Sequence, residues 1–536
     1  MDAPWWQTAV IYQIYPRSFA DADGDGIGDL EGARQRLDHL AWLGVDAIWL
    51  SPFFRSPMAD FGYDVSDYCD VDPIFGTLDD FDRLLADAHE RGIKVLIDWV
   101  PNHSSDQHPW FIESRSSRDN PKRDWYVWRD GGPDGGPPNN WRRAFTGEAR
   151  WEHDRETGET RRVAVPPDPD AETGAWTWDE VTGQWYLHLF LPQQPDLSWE
   201  EPAVVAAMHD VLRFWLDRGV DGIRADVIHA IGKDPALAND PPELVEIPHA
   251  SSNDEPRTHE LLRGLRSLLD GYPGDRMMVG EVYLLDTAKV AEYYGVGDEL
   301  HLSFNFPPLY TRWRAASWRR RIDEVAKHLD PAGGWPTWVL SNHDNARHRT
   351  RYGTEARARA AALLLLTLRG TPFLYAGEEL GLQDAIIPPE RAVDPGGRDG
   401  CRAPIPWTAE PSHGWGPDPW LPFPPDAGIC NAAVQRNDVA SVLHLYRRLL
   451  AARHASPALQ LGSSEVIPSA EGTLAWHRVH GGDERIVVVS FNDDVTELGL
   501  GGSWQVEVAS GGDGNESGAE TPATVEPDSA LLLRPA

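Results

Sequence analysis

The sequence is poor in cysteine and contains no long apolar run. Its three cysteines, Cys69, Cys401 and Cys430, lack the spacing of a metal site, and so few in 536 residues argue against a disulfide framework. The longest apolar run, residues 360–368, is too short to cross a bilayer. The first ten residues, MDAPWWQTAV, show no basic start followed by an apolar stretch, as a signal peptide would. These features predict a soluble, cytoplasmic protein.

Basic residues are also scarce. The chain has 49 Lys and Arg against 84 Asp and Glu, which gives a formal net charge of −35. A surface this acidic repels phosphate groups, which argues against nucleic acids and anionic membranes as partners. Aromatic residues, by contrast, are plentiful: the 24 tryptophans supply core packing, and flat rings can also stack on sugars.

Short apolar runs alternate with amphipathic segments along most of the chain. Such alternation predicts a parallel sheet, and eight units favour a (β/α)8 TIM barrel within an α/β fold. A doubly wound open sheet is the alternative, but no Gly-rich phosphate loop follows the first strand. The predicted strands cover residues 10–15, 47–50, 94–98, 222–226, 277–281, 302–304, 338–341 and 372–375.

The length of the chain predicts more than one domain. We predict the first part of the barrel at residues 1–103, an inserted domain B at 104–186, and the second part of the barrel at 187–458. A loop subdomain is expected after the eighth strand, at residues 376–437, and an antiparallel β-sandwich at 459–536. The insertion contains the turn-rich sequence GGPDGGPPNNW and is too long for a simple loop.

Acidic residues stand at the ends of several predicted barrel strands. The C-terminal strand ends of such a barrel face the active site. A single Arg–Asp pair there would be a structural ion pair, and a single histidine a satisfied core residue. Four acids at four strand ends instead indicate a functional site. The strand-end residues are Asp98, Asn102, His103, Arg224, Asp226, Glu281, His343 and Asp344.

Paired carboxylates without an evident catalytic metal favour glycoside hydrolysis. Arg224 is expected to keep Asp226 ionised as the nucleophile, because both point to the same side of one strand. Glu281 follows an apolar strand without a cationic neighbour in the sequence, which suits a proton donor. Asp344 is expected to bind hydroxyl groups and to stabilise positive charge, with His103 and His343 donating hydrogen bonds to the same ring. A retaining mechanism would place the Asp226 and Glu281 carboxyl groups roughly 5–5.5 Å apart.

These motifs resemble the α-amylase family of glycoside hydrolases, in its oligo-1,6-glucosidase and α-glucosidase branch. The resemblance covers nearly the whole chain and is carried by DWVPNH at 98–103, QPDL at 194–197, GIRADVIH at 222–229, GEV at 280–282 and SNHD at 341–344. It implies Asp226 as nucleophile, Glu281 as acid/base and Asp344 as third acid. It also implies retention through a β-glucosyl-enzyme intermediate, with no organic cofactor.

The same resemblance implies how the sugar is held. Tyr63 matches a ring that stacks on the terminal glucose, and Asp60 matches an acid that pairs with a late arginine, here Arg402. That pair would close the pocket, so that one glucose is removed from the chain end. Val227 resembles the residue often found in α-1,6-active members. Other implied pocket contacts are Phe145, Phe190 and Gln194.

An acidic loop near the start predicts a bound cation. Carboxylates at alternate positions and a carbonyl at the seventh position are how such loops wrap Ca²⁺, and this loop also resembles the calcium or magnesium site of the branch. The glutamate at the twelfth position of an EF-hand is absent, because that residue is Gly32. An acidic turn without an ion is the alternative. The expected ligands are Asp21, Asp23, Asp25, the Ile27 carbonyl and Asp29.

The sequence therefore favours an exo-acting retaining α-glucosidase that releases glucose from short α-1,4- or α-1,6-glucosides such as maltose and isomaltose. The partner is a disaccharide or oligosaccharide, and the chain is expected as a monomer or small homo-oligomer. One alternative is a trehalose- or sucrose-rearranging enzyme with the same intermediate. Others are a non-catalytic subunit, disfavoured because all three acids are retained, and an endo-acting amylase, disfavoured by the closed pocket.

Overall fold

The computed structural model describes residues 3–145, 149–153, 160–164, 173–242 and 252–536. Eight parallel strands form a nearly closed barrel in the order β6-β5-β4-β3-β2-β1-β8-β7. All strand residues are buried except the half-buried Lys94, because helices cover the outer face. The strands are β1 Ile11–Ile14, β2 Ala47–Leu50, β3 Lys94–Trp99, β4 Gly222–Ala225, β5 Met277–Gly280, β6 Leu302–Ser303, β7 Thr337–Val339 and β8 Thr371–Tyr375.

Amphipathic helices follow the strands and pack on the barrel. In α2 the buried residues Phe81, Leu84, Leu85 and Ala88 lie on one face, and Thr77 forms a capping box that fixes where the helix begins. The barrel helices are α1 Leu37–Leu43, α2 Leu78–Glu90, α3 Pro202–Asp217, α4 Pro256–Asp270, α5 Thr287–Glu292, α6 Ala315–His328, α7 Glu355–Thr367 and α8 Val442–Ala455. Shorter helices are Trp5–Thr8, Pro16–Phe19, Leu30–Gln35, Pro109–Ser116, His348–Tyr352, Ala432–Arg436 and Pro457–Leu461.

The predicted barrel is confirmed, with small differences at the strand ends. The fourth and fifth strands end one residue before Asp226 and Glu281, so both acids lie in the loops. The seventh strand ends at Val339, before the predicted Ser341. Backbone pairing stops where neighbouring chains diverge at the rim of the barrel, and the apolar pattern does not reveal that point.

The chain between β3 and β4 forms structure of its own. An antiparallel sheet joins Trp128–Arg129, Gln184–Leu187 and Trp176–Asp179 in that order. A separate hairpin pairs Ala149–His153 with Thr160–Ala164. The hydrophobic cluster beneath the first sheet includes Val227, the residue after the predicted nucleophile. The exact limits of domain B stay a prediction.

Antiparallel sheets complete the chain after α8. Five strands pair in the order Ser463–Ile467, Thr473–His480, Asp483–Ser490, Ala530–Pro535 and Trp504–Ala509. A two-stranded sheet, Thr496–Glu497 with Thr524–Val525, shares a hydrophobic cluster with these five strands. The strand Ser463–Ile467 was not predicted. Its residues are exposed or half-buried and mostly polar, so the sequence shows little apolar character there.

Two buried arginines, Arg478 of the C-terminal sheets and Arg453 of the barrel helix α8, meet at the end of α7. Arg478 donates hydrogen bonds to the carbonyl oxygens of Thr367 at 2.5 Å and Leu459 at 3.1 Å. Arg453 in α8 donates to the carbonyl oxygens of Leu366 at 3.1 Å and Gly370 at 2.8 Å. The last carbonyls of a helix have no partner within it and carry partial negative charge, so cations are stabilised there. Both arginines therefore hold the end of α7 in place.

None of the helices in the described ranges combines the length and the apolar character that a membrane span requires.

Candidate active site

The backbone register brings the predicted catalytic residues side by side. Arg224 in β4 lies opposite Asp98 in β3, and Ala225 lies opposite Gly280 in β5. Asp226 and Glu281 directly follow the last residues of β4 and β5, so both lie at the same rim of the barrel. Parallel strands in register thus place three carboxyl groups around one arginine.

Arg224 contacts all three carboxylates. Its Nη1 donates to Asp98 Oδ1 at 2.9 Å and also to Asp226, while Nη2 donates to Glu281 Oε2 at 2.6 Å. The Arg224 side chain is only 3% exposed, and those of Asp226 and Glu281 are 6% and 14% exposed. One positive charge is therefore shared among three buried acids.

This sharing changes the protonation that the sequence suggested. Burial raises the pKa of Asp226, the charges of Glu281 and Asp98 raise it further, and Arg224 only partly opposes them. Burial also raises the pKa of Asp98 to about 6, against the effect of Arg224. Asp226 and Glu281 bind the same guanidinium group, and the separation of roughly 5–5.5 Å between their carboxyl groups stays a prediction.

The backbone after Asp226 helps to hold Glu281. Val227 has a φ of 43°, a left-handed conformation that a β-branched residue rarely adopts. In this conformation its N–H donates to Glu281 Oε2 at 3.1 Å. His229 Nδ1 lies 3.0 Å from the Glu281 carbonyl oxygen. Strain at Val227 is thus associated with a fixed position of the proposed acid/base.

A second network surrounds His343. Tyr63 donates its hydroxyl proton to Asp98 Oδ2 at 3.1 Å, its hydroxyl oxygen lies 2.6 Å from His343 Nε2, and the Tyr63 and His343 rings stack at 5.3 Å. Gln13 Nε2 lies 2.8 Å from His343 Nδ1. Burial lowers the pKa of His343 to about 3, so the imidazole is neutral. Sequence reasoning missed Gln13, although a polar residue within the apolar strand β1 is a usable signal.

Asp344 lies between cations. Its Oδ1 accepts hydrogen bonds from Arg398 at 2.9 Å and Arg402 at 3.1 Å, and His343 Nε2 lies 3.3 Å from Oδ2. Burial alone would raise the pKa of Asp344, but His343, Arg398 and Arg402 outweigh it and hold the pKa well below its usual range. Asp344 therefore stays ionised.

The predicted pairing of Asp60 with Arg402 is wrong, because Asp60 pairs with Arg398. Arg398 Nη2 lies 2.5 Å from Asp60 Oδ1 and also contacts Asp394. Arg402 instead donates to the His343 carbonyl oxygen at 2.7 Å and contacts Asp394 at 3.3 Å. The two arginines stand four residues apart around the turn Asp399–Arg402, so the sequence does not reveal which one reaches Asp60. Asp394, which contacts both arginines, was also missed.

The remaining predicted pocket residues lie around Asp60. Gln194 Nε2 is 3.1 Å from Asp60 Oδ2 and 3.0 Å from His103 Nε2. The Phe190 ring lies 5.1 Å from that of His103, and the Arg398 guanidinium lies 4.6 Å from the Phe145 ring.

Asn102 lies one step away from these contacts. It accepts a hydrogen bond from Lys233 at 2.7 Å, and Lys233 also pairs with the buried Asp196 at 3.0 Å. Asn102 is thus a support of the site, as the sequence suggested, and Lys233 is a residue that sequence reasoning missed.

The acidic loop brings three of its predicted ligands together. Oxygen atoms of Asp21, Asp23 and Asp29 lie within 4.8 Å of one another. Asp25 is not in this group within the described residues, and its Oδ1 accepts a hydrogen bond from Ile27 N at 2.7 Å. Burial raises the pKa of Asp29, and the charges of Asp23 and Asp21 raise it further. A bound cation would relieve this repulsion, so the three carboxylates fit an oxygen-seeking metal.

A (β/α)8 barrel with paired carboxylates at its C-terminal face is an architecture that glycoside hydrolases use. The chain belongs to the alpha-amylase family, whose catalytic domain matches residues 13–462. It is 43% identical over 531 residues to a probable alpha-glucosidase of Rhizobium meliloti (strain 1021), covering 92% of this chain and 90% of that protein. It is 35% identical over 543 residues to an oligo-1,6-glucosidase of Parageobacillus thermoglucosidasius, covering 92% of this chain and 91% of that protein.

Solved structures agree with this assignment. The alpha-glucosyl transfer enzyme XgtA superposes with a TM-score of 0.88 and 40% identity, covering 100% of both chains. The trehalulose synthase MutB from Pseudomonas mesoacidophila MX-45 superposes with a TM-score of 0.88 and 34% identity, again covering 100% of both chains.

Substituting the paired carboxylates should separate their roles. We expect Asp226→Asn to lower kcat on every glucoside by about four orders of magnitude, because no nucleophile remains. Glu281→Gln should lower kcat on maltose by about 10²–10⁴-fold. It should affect an aryl glucoside less, because that leaving group needs no proton. Steady-state kinetics on both substrates measures this. Asp286→Asn, at the nearby start of α5, is the control; equal losses on both substrates in Glu281→Gln would contradict the assignment.

Substituting Arg398 tests the corrected ion pair. Arg398→Ala leaves Asp60 and Asp394 buried without this partner, so we expect kcat/KM on maltose to fall about a hundredfold or more. Arg391→Ala, on the same loop with an exposed partner in Asp418, should change kcat/KM less than about threefold. Kinetics and thermal unfolding are measured for both variants. If Arg398→Ala keeps the wild-type kcat/KM, the pair does not organise the site.

Proposed function

We propose that the protein is an exo-acting retaining α-glucosidase that releases glucose from the non-reducing end of short α-glucosides. The observation that carries this proposal is the meeting of Asp226 and Glu281 on one arginine, together with a second cluster in which Arg398 pairs with Asp60 and Asp344. The names of the relatives, alpha-glucosidase and oligo-1,6-glucosidase, support the same activity.

The reaction proceeds by two displacements. A glucose residue binds with its anomeric carbon beside Asp226 and its glycosidic oxygen beside Glu281. Asp226 attacks the anomeric carbon while Glu281 protonates the departing glycosidic oxygen, which forms a β-glucosyl-enzyme. Glu281 then takes a proton from water, and the resulting hydroxide displaces Asp226 and restores the α configuration. Arg224 stabilises the carboxylates in both steps.

Asp344 stabilises the positive charge that develops on the sugar ring. Its low pKa keeps it ionised throughout the reaction, and its negative charge favours an oxocarbenium-like transition state. Tyr63 and the neutral His343 are placed to contact the same ring, and the proton position on His343 is set by Gln13 on its other nitrogen.

Closure of the pocket supports removal of single glucose units. The Arg398 guanidinium joins Asp60, Asp344 and Asp394 and lies on the Phe145 ring. We infer that this cluster closes the pocket behind the terminal sugar. The preferred linkage is α-1,4, α-1,6 or both. The acidic composition and the scarcity of cysteine support a cytoplasmic enzyme that acts as a monomer or small homo-oligomer.

A rearranging transglucosidase is the second candidate. The solved trehalulose synthase has the same fold over the whole chain, so the shared architecture supports either outcome. The two activities differ in whether water or a second sugar hydroxyl attacks the glucosyl-enzyme.

A product time course distinguishes these activities. The protein is incubated separately with maltose, isomaltose, sucrose and soluble starch, and the sugars are separated by chromatography. We expect glucose from the disaccharides and little change in starch, because the closed pocket admits only a chain end. A new disaccharide in place of glucose would indicate the transglucosidase, and rapid fragmentation of starch would refute exo-action. The inactive Asp226→Asn variant is the control.

We also propose that Asp21, Asp23 and Asp29 hold a structural Ca²⁺ or Mg²⁺ with the Ile27 carbonyl and Asp25 nearby. An ion there would neutralise part of the negative charge that the loop concentrates. We expect chelation to lower Tm by several degrees and added Ca²⁺ to restore it, whereas Asp23→Asn should remove the response. Asp513→Asn, on an exposed loop of the C-terminal sheets, is the control. An unchanged Tm after chelation would contradict the site.

A further inference from the structure

We infer that Trp420 is a positioning residue that couples the acidic loop, residues 21–29, to the pocket in which glucose is proposed to bind. Trp420 is half-buried in the long loop after β8. Its backbone is bonded to the acidic loop, and its ring packs on residues that adjoin the proposed sugar contacts. The inference rests on the proposed α-glucosidase, because that function defines the pocket.

The acidic loop packs closely against the chain that leads to Trp420. Asp21 Oδ2 accepts a hydrogen bond from Gly416 N at 2.9 Å, and the Gly26 carbonyl oxygen accepts one from Trp420 N at 3.0 Å. The two segments leave no space between them, because a Cβ at Gly26 would collide with the carbonyl oxygen of Asp418. The position of Trp420 therefore depends on the conformation of the acidic loop.

On one side, the Trp420 ring supports His343 through Tyr15. The Trp420 and Tyr15 ring centroids lie 6.4 Å apart, and Tyr15 stacks on His343 at 5.8 Å. Tyr15 is buried, and its hydroxyl has no hydrogen-bond partner among the described residues, so ring packing fixes its position. Loss of the Trp420 ring would leave a space into which Tyr15 and His343 can shift.

The same ring contacts Phe61, the residue after Asp60. The Phe61 and Trp420 ring centroids lie 5.5 Å apart, and the Arg17 guanidinium lies 4.9 Å from the Trp420 ring and 5.4 Å from the Phe61 ring. Phe61 has a φ of 47°, a left-handed conformation that is uncommon for a bulky residue and persists only where surrounding contacts maintain it. Trp420 and Arg17 supply such contacts, so the position of Asp60 depends on them.

A hydrogen bond links Trp420 to a third residue of the pocket. Trp420 Nε1 donates to Ser18 Oγ at 3.1 Å, and the Ser18 hydroxyl donates to the carbonyl oxygen of Arg402. Arg402 in turn pairs with Asp344 at 3.1 Å. The contacts of Trp420 thus lead to residues proposed to hold the sugar, and we expect Trp420 to affect the affinity for glucose more than the rate of the chemical step.

The test is calorimetric titration of glucose into the full chain, with excess Ca²⁺ so that any ion in the acidic loop is the same in every variant. We expect Trp420→Leu to weaken glucose binding about tenfold or more, as coupling between sites commonly does. Trp420→Phe keeps a ring beside Tyr15 and Phe61 and should recover most of the affinity. Trp415→Leu is the matched control. Trp415 is buried in the same loop and donates to the Ile405 carbonyl oxygen at 2.8 Å, so its loss should lower Tm without changing the affinity.

Two glycines of the acidic loop test the other half of the coupling. Gly26→Ala introduces the collision with Asp418, which should displace Trp420 and weaken glucose binding. Gly24→Ala is the control. Both glycines have a positive φ, 83° at Gly24 and 92° at Gly26, but a Cβ at Gly24 meets no other described residue within 4 Å. If Gly26→Ala does not fold, the comparison of Trp420→Leu with Trp415→Leu decides.

Steady-state kinetics of maltose hydrolysis supply a second readout. We expect KM to rise in Trp420→Leu while kcat changes less than about threefold, because binding and not the chemical step is affected. Equal glucose affinity in Trp420→Leu and the wild type, or an equal loss in Trp415→Leu, would overturn the coupling alone. A wild-type protein that binds no glucose would refute the proposed α-glucosidase and the coupling together, so the two failures are distinguishable.

Discussion

The contact of Arg224 with three carboxylates is the interaction on which the site depends. Asp98, Asp226 and Glu281 come from β3, β4 and β5, and a guanidinium group can reach all three because its five N–H donors form a rigid fork. Three buried acids without this charge would take up protons or repel one another. One positive charge among three carboxylates offsets only part of the cost of burial, and the pKa values of Asp226 and Asp98 are therefore raised.

A second set of charges surrounds Asp344. Arg398 and Arg402 bind Asp60, Asp344 and Asp394, so this part of the site also mixes acids and cations away from water. The two sets of charges shift the pKa values of their acids in opposite directions. Asp226 has a raised pKa because Arg224 serves three carboxylates, whereas Asp344 has a depressed pKa because two arginines and a histidine face it. Environment, and not residue type, thus gives two aspartates of one site opposite pKa shifts.

Much of the fold could be predicted because its pattern is local. Eight apolar runs with amphipathic segments between them correspond to β1–β8, and the acids that follow β4 and β5 lie at the rim that the topology requires. The errors concern contacts between distant segments. Asp60 and Arg398 are 338 residues apart in the sequence, and Arg402 stands only one turn from Arg398. The predicted partner of Asp60 was therefore the wrong arginine. The polar residues Gln13, Asp394 and Lys233 were missed because each lies within a segment that otherwise predicts only packing.

The amino-acid sequence by itself determined the barrel, the identity of the strand-end acids and the resemblance to a glycosidase family. Periodicity and short motifs depend only on residues that are close together in the sequence. The tertiary structure decided which arginine pairs with Asp60, how one guanidinium is divided among three carboxylates and which aspartate has a raised pKa. These properties depend on distance and burial, and both are set only when segments far apart in the chain pack against each other.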